Sequence, residues 1–102
     1  MKRTESLEVG VPQERALEAC RAAFAAMGWE IVEAEGTRLA AIEVPFRLPC
    51  RRLPAEVEIS AHSRSRERTI LAIEGTMAGV GTERELAGYM AAVVKRIRAR
   101  LS

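Results

Sequence analysis

The side chains most used for nucleophilic, acid–base or metal chemistry are sparse in this chain: one histidine, His62, and two cysteines, Cys20 and Cys50. All fourteen acidic residues are glutamate, and no aspartate or asparagine occurs anywhere. A hydroxyl–imidazole–carboxylate relay needs a carboxylate to orient the imidazole. Glu58 shares a strand face with His62, yet His62 sits beside a charged hairpin and reads as a solvated strand-end residue. A Cys50–His62 pair is opposed by strand direction, since Cys50 precedes that strand and His62 lies at its far end. Cysteines thirty positions apart and a lone histidine lack zinc spacing. A calcium cage would normally use aspartate. The run "GVGT" lacks the glycine spacing and the lysine of a phosphate loop. The sequence therefore predicts a non-enzymatic protein with no metal and no cofactor.

Binding chemistry has two candidate sources. The stretch "VPFRLPCRRLP", Val44 to Pro54, gathers three prolines, Arg47, Arg51, Arg52 and Cys50 without an acid. It reads either as an anion grip or as a connection stiffened by proline against conformational entropy. A helix start beside it, with free N–H groups, would help the grip, while Glu83 and Glu85 would oppose it. The second source is apolar: Trp29, Phe46, Met77 and Met90 form a candidate ligand pocket, with the small residues Ala87, Gly88 and Ala91 leaving space. The competing account has the same side chains filling an ordinary core, methionine serving as gap-filler.

The elements that would position these residues follow from periodicity. "TESLEV", Thr4 to Val9, alternates as a half-buried strand. A helix follows, opened by Pro12 in its first turn and closed by Gly28, with Leu17, Cys20, Phe24 and Met27 as its apolar stripe. "WEIVEAEGTRLAAIEV" reads as two strands around a turn at Glu35–Gly36. "AEVEISAH" alternates cleanly, "SRSRER" is a charged connection, and "TILAIEG" returns from it. A capping box at Thr82 and Glu85 opens a terminal helix with the stripe Leu86, Met90, Val93, Ile97 and Leu101. Lys95, Arg96, Arg98 and Arg100 crowd its last turns, where cations complement the helix dipole.

The predicted order is β-α-β-β-β-β-α in one α+β domain, residues 1–102. The expected architecture is a curved antiparallel sheet with both helices packed on one face. Traced through the meander, Trp29, the Val44–Pro54 loop, "TMAGVG" and the start of the terminal helix meet at one sheet end. In element order the chain resembles the helix-grip or TATA-binding-protein-like architecture, including small relatives of the Bet v 1/START-like lipid-binding superfamily. That resemblance implies a hydrophobic small molecule held between the sheet and the terminal helix. The alternative is a protein–protein or homodimerisation module with a filled core.

Other partners are narrowed by charge and hydropathy. Net charge is only +2, and Glu8, Glu56, Glu58 and Glu74 on the open sheet face would repel phosphates, so nucleic acid is disfavoured. No stretch approaches the roughly 20 apolar residues of a membrane span, and no secretory signal opens the chain. A cytoplasmic protein is expected.

Overall fold

The computed structural model describes residues 1–44, 53–79 and 83–102. Its elements are β1 (Lys2–Val9), α1 (Gln13–Met27), β2 (Glu30–Glu35), β3 (Arg38–Ile42), β4 (Glu56–Ser65), β5 (Arg68–Thr76) and α2 (Glu83–Leu101). The five strands form one antiparallel sheet in the order β1-β5-β4-β3-β2. Strands β2 to β5 are the expected meander, and β1 returns to pair with β5, leaving β1 and β2 as the two edges of an open sheet. Both helices cover one sheet face: α1 packs over β2 to β5, and α2 over β5 and β1. This is the α+β architecture expected from the periodicities.

The strands run further than side-chain alternation alone indicates. β1 begins at Lys2, because its ladder with β5 continues to Lys2 opposite Thr76. β4 persists through Ser65 and β5 begins at Arg68, so "SRSRER" is mostly strand, with a bulge between Ser63 and Ser65. Backbone ladders need no apolar side chains, and this polar tip extends into solvent. The β2–β3 turn occupies positions 36 and 37, one residue later than expected, with Gly36 at φ +57°.

Helix α1 starts one residue after Pro12, whose carbonyl accepts the Ala16 N–H at 3.0 Å. Gly28 closes it in the left-handed region at φ +76°. Its buried face is Ala16, Ala19, Cys20, Ala23 and Phe24, while Leu17 and Met27 lie half-buried at the flanks. The apolar stripe is thus rotated toward the alanines, whose short side chains let α1 sit close to its neighbours. The Gln13 amide fixes the start of α1 by donating to the Ala61 carbonyl at 2.8 Å.

Helix α2 follows its predicted stripe: Leu86, Met90, Val93 and Ile97 are fully buried, and Leu101 is half-buried at the end. The Thr82 half of the expected capping box lies outside the described residues. At Gly75 the side chains of α2 pack directly on the sheet backbone. A Cβ there would stand 2.7 Å from Met90 Sδ and 2.9 Å from Leu86 Cδ1. The absent side chain of Gly75 is what admits these two.

Candidate functional site at the open end of the sheet

Successive strands deliver to one end of the sheet the start of β1, the end of β5, the starts of β4 and β2, and the end of β3. The C-terminus of α1 and the N-terminus of α2 arrive there as well. Trp29, directly after the Gly28 cap, is 7% exposed. Its ring stacks on Phe24 with centroids 6.4 Å apart and meets Tyr89 of α2 edge-on at 5.2 Å. Both are favourable aromatic arrangements.

Glu43 follows β3 and is 9% exposed. Its N–H donates to the Ala55 carbonyl at 2.8 Å, extending the β3–β4 ladder by one pair. The return bond differs from an ordinary ladder: Ala55 N–H donates to Glu43 Oε1 at 3.1 Å. Tyr89 O–H donates to Oε2 of the same carboxyl at 2.8 Å. One carboxyl therefore ends the ladder, satisfies a buried N–H and ties α2 to the sheet. A buried polar group needs such partners, because desolvation without them costs several kcal/mol by order of magnitude.

Apolar side chains are exposed at this same end. Met1, Val44 and Leu53 are three of the four exposed large hydrophobics among the described residues. Met1 accepts the Met77 N–H at 2.9 Å, and the Leu53 N–H donates to the Ala78 carbonyl at 2.8 Å. The Val44 carbonyl lies 3.9 Å from where a Gly28 Cβ would stand. A buried acid bonded to a half-buried phenol, and a buried tryptophan, thus lie at a sheet end that exposes apolar side chains.

Of the pocket residues expected from sequence, Trp29 and Met77 lie at this end, both buried. Met90 is buried against Gly75. Phe46, and with it Arg47, Arg51 and Arg52 of the anion grip, lies outside the described residues. Ala87 is half-buried, whereas Gly88 and Ala91 face solvent and open no space toward the sheet. Sequence reasoning missed Glu43 and Tyr89. A signal for Glu43 was present: counting by two from Leu39 and Ala41, both buried, puts Glu43 on the inward face.

Other ionisable groups are placed away from this end. His62 is exposed on β4 opposite Ile70, toward the far end of the sheet. Cys20 is fully buried, and burial pushes its thiol up to about 12, so it is held as the unreactive protonated form. On the open sheet face three of the four expected glutamates, Glu8, Glu58 and Glu74, are paired across strands. Lys2 meets Glu74 at 3.5 Å, Arg68 meets Glu8 at 2.8 Å, and Arg38 meets Glu58. The hydrogen bond from Arg38 to Glu58, and then the charge of Glu58, raise the already high pKa of that guanidinium. No helix among the described residues is long and apolar enough to cross a membrane.

No protein-family model matches this chain, and no curated protein matches it in sequence. Solved structures do match in fold. A START superfamily protein from Mycobacterium smegmatis aligns at TM-score 0.62 and 15% identity, over 98% of this chain and 96% of that one. Truncated norcoclaurine synthase from Thalictrum flavum aligns at 0.57 and 12% identity, over 95% and 90%. A protein from Nitrosospira multiformis aligns at 0.67 and 11% identity, over 100% and 97%. The fold is that of the START/Bet v 1-like class, as its element order indicated.

Proposed function

We propose that this chain is a cytoplasmic, non-catalytic binding module for a small amphipathic molecule. The ligand enters at the open end of the sheet, its polar end beside Glu43 and Tyr89 and its apolar body against Trp29. The observation that carries this is the part-buried Tyr89–Glu43 hydrogen bond at 2.8 Å, at the end where Met1, Val44 and Leu53 are exposed. Ligand sites combine apolar walls with a few placed polar groups, and apolar side chains exposed together mark binding surfaces. The fold adds weight, since the START/Bet v 1-like superfamily is one of lipid binders. Absence of catalysis is supported by the distance of His62 from this end and by the protonated, buried state of Cys20.

A titration of ¹⁵N-labelled protein with dodecanoic acid, dodecanol and a sterol tests it. Saturable shifts of the Trp29 indole and of the Tyr89 and Met77 amides are the expected result. A flat spectrum at ligand saturation refutes it.

A second reading, an oligomerisation module with a filled core, is favoured by one observation. Leu86 and Met90 lie against Gly75 so closely that no space for a ligand remains there between α2 and β5. A flat titration together with the rotational correlation time of a dimer would establish that reading.

A further inference from the structure

The outer surface of the helical layer holds a hollow of about 330 Å³ between α1 and α2. Ala22, Ala23 and Ala26 of α1 and Ala99 of α2 line it, with Arg96 and Arg100 beside them. Lys95 and Arg98 are exposed on the same two turns of α2. Of these four cations, Arg100 meets a carboxylate, Glu18 at 2.7 Å. Lys95, Arg96 and Arg98 have no carboxylate partner among the described residues. Arg98 borders a separate hollow beside Val9 and Val11, so the cations without a carboxylate partner near this one are Arg96, which lines it, and Lys95, one turn before Ala99.

We propose that this face docks an acidic amphipathic helix from a partner protein. Alanine side chains along the hollow let a third helix approach to the short end of the usual 8–10 Å interaxial range. Carboxylates flanking that helix's apolar stripe would meet Arg96 and Lys95 and share Arg100 with Glu18. Burial of the stripe supplies affinity, and the charges supply orientation and selectivity. A bilayer surface fits less well, because interfacial attachment relies on large apolar side chains. The exposed large hydrophobics among the described residues are Met1, Val32, Val44 and Leu53, all outside the two helices. Nucleic acid fits less well too, since the lining offers methyl groups and no aromatic platform for stacking.

The test uses the full chain and a labelled, helix-stapled peptide with an Ala/Leu stripe flanked by glutamates, read by fluorescence anisotropy. The same peptide with lysine for glutamate, phosphatidylserine vesicles and a DNA duplex are run beside it. Saturable binding of the glutamate peptide is expected, weakened about tenfold or more by Arg96→Glu. Ala99→Trp, which fills the hollow without changing charge, is expected to weaken it comparably. Both positions are exposed, so each variant should keep the parent's melting curve. Indifference to Ala99→Trp would show bulk charge attraction and overturn the proposal. Equal binding of the lysine peptide would overturn it as well, and so would preference for vesicles or DNA. Should Arg96→Glu fail to fold, Ala99→Trp decides alone.

Discussion

Tyr89 and Glu43, 46 positions apart, are joined by a 2.8 Å hydrogen bond from the phenol to Oε2, while Oε1 of the same carboxyl receives the buried Ala55 N–H. The end of β3, the start of β4 and the first half of α2 are thereby coupled through one side chain. Removing the acceptor strands donors from two elements, whereas removing the phenol leaves the Ala55 N–H with its acceptor.

Glu43→Ala is therefore expected to cost about 1–3 kcal/mol, since it leaves the Ala55 N–H buried without its acceptor. Tyr89→Phe should cost about 1 kcal/mol, and Glu43→Gln less than Glu43→Ala. The amide oxygen of Gln can take the Ala55 N–H while its NH₂ donates to the phenol oxygen. Urea denaturation of the three variants checks the order. A Gln variant as unstable as the Ala variant would mean that the negative charge itself is required.

Gly75→Ala should destabilise by about 1–3 kcal/mol through overpacking, because the new Cβ would meet Met90 Sδ at 2.7 Å and Leu86 Cδ1 at 2.9 Å. Met90→Ala alone should cost about 2–5 kcal/mol through the cavity it leaves. Contact between the two sites makes these effects non-additive. In a Met90→Ala background the Gly75→Ala change should cost less than in the parent, because the Met90 clash is gone and Leu86 Cδ1 can shift into the space it leaves. Thermal melts of the four proteins close the cycle. Additive losses would contradict the packing described.

The periodic parts of this fold were legible in the sequence. The period-two runs gave the meander, and of the stripe Leu86, Met90, Val93, Ile97 and Leu101 all but the half-buried Leu101 form the buried face of α2. In α1 the larger apolar residues pointed to a stripe through Leu17 and Met27, but alanine carries no directional signal and the packed face turned toward Ala16, Ala19 and Ala23. Trp29 was placed at the correct sheet end because chain tracing suffices for that. The Tyr89–Glu43 bond was not legible, since a contact between residues so far apart follows from helix placement and not from any local pattern.

Cys20 sets a pH dependence at the alkaline end. Its thiol stands at about 12 in the fold, against roughly 8.5 for a free cysteine. Between those values the unfolded chain has lost the proton and the native state keeps it. Stability is thus fully present below about pH 8.5 and falls as pH rises, at up to about 1.4 kcal/mol per unit from this group. Urea midpoints of Cys20→Ala should fall less steeply over that range than those of the parent chain. Equal slopes would show that the thiol is not desolvated as described.

Leu53 offers a test of the proposed entry that does not disturb the core. It is 62% exposed, so Leu53→Ser should change stability by no more than about 0.5 kcal/mol. Its apolar surface is the kind an entering ligand would cover, and losing a contact worth about 1.4 kcal/mol weakens affinity about tenfold. Val32, 53% exposed at the bulge of the β2 edge, is the matched control, and Val32→Ser should leave affinity unchanged. Trp29 emission reports binding directly, because it is the chain's single tryptophan and its ring meets Tyr89 at 5.2 Å. With dodecanol as titrant, a right-shifted curve for Leu53→Ser beside an unmoved curve for Val32→Ser locates entry at the Leu53 end. Equal curves for both variants would remove Leu53 from the path and leave Glu43 and Tyr89 as a structural tie.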